Sequence, residues 1–251
     1  MPAPIVVGVD PLEREAACDA LMLGGRLASE LGGTLQAVHV FPPSEGDMRR
    51  QRQLHERTLL TLLEAARTTG AATAFAGTSP AFVLHDLAAR ERGACVVIGS
   101  GHGGRRGRTS LGPVAEALLH GSMVPVVVAP RGYASRCGML DRIGIAYGGT
   151  PESDEALRQA RELAELAGAR LSVLAAEDDT AEALAAASDD LDLDLLVVGS
   201  RSYGPRRIVL LSAFTRRLLE AASCPVMIVS RLPDVAHDVA LVGDRVVALD
   251  V

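Results

Sequence analysis

Lysine is missing altogether: every one of the 25 basic residues is Arg. A chain without lysine has no P-loop lysine, no kinase-type strand lysine and no Schiff-base lysine, which excludes the commonest phosphoryl-transfer and pyridoxal mechanisms. Tryptophan is also missing, and three Tyr and four Phe are the only aromatics, too few for a base-stacking platform. Acidic residues outnumber basic ones, 31 to 25, for a net charge of −6. No broad positive field attracts a phosphate backbone, so nucleic acid is not an expected partner. No uncharged apolar run approaches the ~20 residues of a membrane-spanning helix, so no membrane is expected either. Cys18, Cys95, Cys137 and Cys224 lie far apart and form no C-x-x-C pair, leaving neither a zinc nor a thioredoxin-like motif; they read as buried or idle thiols, and no metal motif is present. The opening MPAPIVVGVD has no basic segment followed by an apolar core. A secretory leader is therefore not expected, and a reducing cytoplasm is the expected compartment.

What is present is an alternation. Hydrophobic residues make up 48% of 251 residues, enough for one large or two smaller domains, each with its own core. Short β-branched runs alternate with helical periods, the pattern of parallel β-α-β units with helices on both faces of a sheet. PIVVGVD (Pro4 to Asp10) reads as a buried strand, Glu13 to Leu31 as a helix, and Thr34 to Val40 as the second strand. A helix over Arg52 to Arg67, a weaker strand over Thr73 to Gly77 and a helix over Ala81 to Arg92 follow. ACVVIGS (Ala94 to Ser100), a loop rich in glycine and arginine, a helix near Pro113 to His120 and VPVVVAP (Val124 to Pro130) complete five strands.

From Arg142 the pattern starts again. RIGIAYGG resembles IVVGVDP, ELAGARLSVLA resembles ELGGTLQAVHV, LDLLVVGSRS resembles ACVVIGSGH, and SCPVMIV resembles SMVPVVV. Four matches in one order mean an internal duplication. Fifty-nine positions separate Val40 from Gly99, but twenty-four separate Ala175 from Gly199. The second copy has thus lost one helix and one strand, leaving a single helix near Asp179 to Asp190 as the crossover. The expected domains are 1–132 and a shortened 141–232, with Arg131 to Leu140 as the linker. In the tail, 233–251, VALV and RVVAL flank Gly243-Asp244 as a hairpin. Its apolar strands are expected to cover something, such as the sheet edge left by the missing strand, around Leu171 to Ala175, or a partner subunit.

In an open parallel sheet, ligands bind beyond the carboxyl ends of the strands, where successive connections diverge. Asp10 stands at that end of strand one. Gly99 stands at the same end of strand four, opening a loop that runs into a helix N-terminus. Backbone N–H groups there, beside glycines, can hold an anion without lysine.

On these residues the sequence resembles a tandem universal stress protein over roughly Ile5 to Arg231. The nucleotide-binding members of that family carry G-x2-G-x9-G-[ST] after a strand, with an Asp ending the first strand. Here the frame reads Gly99, His102, Gly112, Pro113, with Asp10 in place; the second copy reads Gly199, Ser202, Ser212, Ala213, with Gly148 in the place of the Asp. The resemblance implies strand order 3-2-1-4-5 in the first half, pairing of the fifth strands and a homodimer. It also implies an adenine-nucleotide (ATP) site in the first domain only. Asp10 would sit near ribose or base, the Val40 backbone beside adenine, and Gly99, Gly101, His102, Gly112, Pro113 and Val114 around the phosphates.

His102 replaces a glycine where positive φ is expected, although Gly101, Gly103 or Gly104 could absorb the change. Pro113 removes a hydroxyl and an N–H. Losing two donors at about 1.5–3 kcal/mol each weakens a micromolar site to millimolar, unless Arg105, Arg106, Arg108, Thr109 or Ser110 compensates. Structural roles stand beside these readings: Asp10 as a loop cap, the Gly99 loop as a tight turn, the arginines as a solvated face, His39 as a satisfied core residue. The expected function is a stress-response regulator or binding module with at most one weak ATP site, and no catalytic residue is assigned. The alternative is a structural or interaction protein that binds no nucleotide; a slow hydrolase is a third reading.

Overall fold

In the computed structural model the two alternations build a single sheet. The structure describes residues 3–44, 46–103, 105–136, 138–174, 180–200, 202–203, 208–209, 212–230, 239–242 and 245–248. The first half contains β1 (Pro4–Gly8), α1 (Arg14–Glu30), β2 (Thr34–Phe41), α2 (Met48–Ala65), β3 (Ala71–Ala76), α3 (Pro80–Arg90), β4 (Cys95–Gly99), α4 (Pro113–Gly121) and β5 (Val126–Ala129). The second contains β6 (Arg142–Ala146), α5 (Pro151–Ala167), β7 (Arg170–Leu174), α6 (Ala181–Asp190), β8 (Leu195–Ser200), a small hairpin of β9 (Ser202–Tyr203) and β10 (Ile208–Val209), α7 (Ala213–Ala221) and β11 (Val226–Ser230). The tail forms β12 (Val239–Val242) and β13 (Arg245–Ala248).

The nine main strands run in the order β3-β2-β1-β4-β5-β11-β8-β6-β7. The first half therefore has the order 3-2-1-4-5. Its fifth strand meets the fifth strand of the second half: β5 and β11 pair antiparallel, Val127 opposite Met227, so the dimer-like seam lies inside one chain. Both strands are sealed, Val126–Ala129 and Val226–Val229 being almost wholly buried. Each Val, Ile or Met side chain among them contributes about 1.5–3 kcal/mol of burial. Arg216 of α7 donates to Glu116 of α4 at 2.6 Å across the same seam.

Helices cover both faces. Leu21, Leu23 and Leu27 of α1 and Leu59, Leu62 and Leu63 of α2 pack with α5 on one face; Leu84 of α3, Leu118 and Leu119 of α4, Leu184 of α6 and Leu218 of α7 pack on the other. Helix α2 starts at Met48 rather than Arg52, because Asp47 caps it by accepting the N–H groups of Arg49 and Arg50. The lost helix and strand are seen directly, since only residues 175–180 separate β7 from α6.

The stretch Arg131 to Leu140 joins β5 to β6, and Tyr133 and Leu140 in it are buried in the core. Asp19 of α1, itself buried, accepts the N–H of Gly132 at 2.8 Å and of Ala134 at 2.7 Å, and burial raises its pKa. Arg26 donates to the Tyr133 hydroxyl at 2.5 Å. The tail does form an antiparallel hairpin, Val239 opposite Ala248. It is a sheet of its own, however, and β7 pairs only with β6 in the main sheet, so the hairpin does not complete that edge. The Gly243-Asp244 turn, Gly104, Ala175 and Cys137 lie outside the described residues. Burial pushes the thiols of Cys95 and Cys224 up to about 12 and about 11, which makes them inert.

Candidate functional site

Strands β1 and β4 are neighbours in the sheet and their connections leave to opposite faces, α1 to one and α4 to the other. The gap this opens at their carboxyl ends is a crevice of about 290 Å³, at the small end of ligand sites. Asp10, Val40, Gly99, Gly101, His102, Gly112, Pro113 and Val114 all line it. So do Glu13, Ala16, His39, Pro80 and Leu84, which no spacing rule in the sequence singles out because α1, β2 and α3 bring them in by packing. One flank is apolar, with Val38, Val40, Pro80 and Leu84; the other is polar, with Glu13, Ser100, Gly101 and His102.

Asp10 is exposed. Its Oδ1 accepts the Leu12 N–H at 3.0 Å, so the carboxylate does cap its own loop while facing the crevice. His39 is half-buried rather than a core residue. Its Nδ1 lies 3.0 Å from the Val9 carbonyl. Its ring stands 4.8 Å from that of His55 on α2, and burial together with that neighbouring ring lowers the His55 pKa.

The loop from Gly99 to Gly112 is folded onto itself. Gly101 N–H donates to the Ser110 carbonyl at 2.6 Å. Ser110 N–H donates to the buried Ser100 hydroxyl at 2.8 Å. A Cβ on Gly101 would stand 2.8 Å from the Gly112 nitrogen, and one on Gly99 2.3 Å from the Ala16 carbonyl oxygen. Gly99 is therefore required where the start of α1 crosses the strand end. The positive φ expected at position 102 falls instead on Gly103, at +79°, so His102 carries no strain there. Its Nε2 pairs with Glu13 Oε1 across the mouth of the crevice.

Helix α4 begins at Pro113 with Gly112 as its N-cap and no side-chain cap. Its first intrahelical donor is Glu116 N–H, to the Gly112 carbonyl. The N–H groups of Val114 and Ala115 precede it and face the crevice without an intrahelical acceptor. The candidate compensating residues turn elsewhere: none of Arg105, Arg106, Arg108, Thr109 and Ser110 lines the crevice. Arg106 reaches Ser135 at 3.5 Å, Arg108 faces Asp189 of α6 at 3.6 Å, and Thr109 is buried. Among the described residues no group of three or more His, Cys, Asp or Glu could hold a metal ion, and no helix is long and apolar enough to cross a membrane.

At the equivalent place in the second half, Tyr147 N–H donates to Leu174 O as Val9 N–H does to Val38 O, which sets Gly148 opposite Asp10. Nothing lies within 4 Å of a Cβ built on Gly148. Ser212 caps α7, its Oγ accepting Thr215 N–H at 3.0 Å.

The model of the universal stress protein family matches residues 1–130 and 175–230. Universal stress proteins of Mycobacterium tuberculosis and Mycobacterium bovis are 37% identical over 79 residues. That stretch is 32% of this chain and spans 27% of the length of those relatives. A universal stress protein from Archaeoglobus fulgidus has a similar fold, at a TM-score of 0.66 and 15% identity, over 92% of this chain and 99% of that one. A universal stress protein from Pseudomonas aeruginosa, described as putative, superimposes at a TM-score of 0.63 and 15% identity, over 91% and 92%.

Proposed function

The chain belongs to the universal stress protein family, and on that premise we propose that it is a stress-response binding module with one adenine-nucleotide site, in the domain formed by residues 1–132. The observation that carries this reading is convergence: eight residues chosen for spacing and family likeness line one crevice, onto which an uncapped helix N-terminus opens. In this reading Asp10 accepts ribose hydroxyls with the oxygen not engaged by Leu12. The Val40 backbone and the apolar flank hold adenine, and the Val114 and Ala115 N–H groups meet phosphate with the favourable end of the α4 dipole. Pro113 offers no N–H and Gly101 has spent its own, so ATP binds weakly, in the micromolar-to-millimolar range. The second half is a degenerate copy retained for packing. It supplies internally the partner that β5 needs, so two chains associating as a homodimer would meet through another surface.

Calorimetric titration of the full chain with adenosine, AMP and ATP tests the reading. Binding is expected, and Asp10→Ala should weaken it about tenfold or more with little change in melting temperature. A wild-type chain that takes up no adenine compound would leave the interaction-protein reading in its place.

A further inference from the structure

The polar flank of the crevice has an unusual balance for an anion site. Its described lining residues include two carboxylates, Asp10 and Glu13, two imidazoles, His39 and His102, and no arginine. The chain has no lysine to bring in. The arginines of the loop and of the first turn of α1 lie outside the crevice lining. From the loop, Arg106 turns to Ser135 and Arg108 to Asp189; from the first turn of α1, Arg14 lines a separate groove with Arg57 of α2. The imidazoles are engaged as well, His39 with the Val9 carbonyl and His102 with Glu13.

Among the donors, Gly101 N–H is bonded to Ser110, and Pro113 has none. Val114 and Ala115 offer two adjacent N–H groups at a helix start, which suit two oxygens of one phosphoryl group. Further phosphoryl groups would extend along the polar flank toward the mouth, where Glu13 and His102 close across. A triphosphate would place its added negative charges against a carboxylate in a partly desolvated crevice, where repulsion exceeds that in bulk water.

We propose that Glu13, pinned across the crevice mouth by His102, is a specificity-determining carboxylate that limits the ligand to an adenine nucleoside bearing a single phosphoryl group and rejects triphosphates. This rests on the adenine-nucleotide reading above and narrows it. Glu13 acts by charge and position, and the preference is set by repulsion rather than by added contacts.

The test is calorimetry of the full chain with adenosine, AMP and ATP in the presence of EDTA, for the wild type, Glu13→Gln, and Glu15→Gln as a control. Glu15 lies outside the crevice lining and pairs with Arg131. AMP is expected to bind about tenfold more tightly than ATP in the wild type and in Glu15→Gln, a ratio of the size one nearby charge imposes. Glu13→Gln should bring ATP to within about threefold of AMP and leave adenosine unchanged, with the melting temperature checking that the variant is folded. ATP binding as tightly as AMP in the wild type, or an unchanged ratio in Glu13→Gln, overturns the proposal. Adenosine binding without either nucleotide overturns the single-phosphoryl assignment but keeps the adenine site. No binding by any of the three overturns the adenine reading itself, and this inference with it.

Discussion

The helices that begin at the first crevice and their counterparts in the second half start in opposite ways. Glu13 and Gly112, which precede α1 and α4, make no side-chain cap. Thr150 and Ser212, which precede α5 and α7, both do, Thr150 within a reciprocal capping box with Ser153. A capped start has spent one of the N–H groups that an anion would use, Ser153 N–H in α5 and Thr215 N–H in α7. Gly148 in place of Asp10 removes the carboxylate from the same locality. What the halves share is different in kind: Gly99 meets the Ala16 carbonyl and Gly199 the Glu152 carbonyl, at hypothetical Cβ distances of 2.3 and 2.4 Å. The first glycine of the motif thus persists in both copies for helix-on-strand packing, and its survival in the second half says nothing about ligand. The chemistry lies where the copies differ.

The sharpest way to break that distinction is Gly199→Ala. A methyl group there collides with backbone rather than with a side chain that can swing away, so destabilisation of about 3 kcal/mol is expected. Gly99→Ala should cost about the same, and both are read by urea denaturation of the full chain. If Gly199→Ala is tolerated while Gly99→Ala leaves stability intact and abolishes nucleotide binding, the shared glycine is a ligand residue after all.

A smaller effect is expected at the start of α4. Pro113→Ser restores an N–H and a hydroxyl to the crevice at a position already helical. AMP affinity should rise about tenfold, equivalent to ~1.4 kcal/mol and less than one full charge-assisted bond. Changing His102 to Gly as well is not needed for backbone freedom, since Gly103 already takes the positive φ. Equal affinity in Pro113→Ser and its parent would mean that donor number does not limit the site.

The strands themselves, the duplication and the missing helix-strand pair were legible because apolar runs and their spacing report buried strands almost without tertiary context; the strand order 3-2-1-4-5 followed from the family resemblance alone. Asp10, Gly99 and Gly112 were legible for a related reason: a strand end and a helix start are local features. Glu13 and His39 were not, because their place in the crevice depends on how α1 and β2 lie against β4, which no periodicity encodes. Burial of Tyr133 and Leu140 in the linker was hidden by its lack of period. It is held by Asp19, 113 and 115 positions away from the N–H groups it accepts. For the arginines of the loop, composition left a solvated face and a phosphate clamp both open, and geometry turns Arg106 to the linker and Arg108 to α6.

The smallest expected effect bears most directly on why the second half reads as silent. Ser212→Ala removes the cap of α7, a nine-residue helix in which each terminal bond is a large share of the whole. Loss of a serine N-cap costs about 1 kcal/mol, which a thermal melt of the full chain should register as a modest drop. The substitution also frees Thr215 N–H and makes the start of α7 resemble that of α4. Nucleotide stoichiometry should nevertheless stay at one per chain, because Gly148 still supplies no carboxylate to hold a ribose. A second equivalent of AMP bound by Ser212→Ala would show that the cap alone had silenced this half and that the loss of the aspartate was incidental.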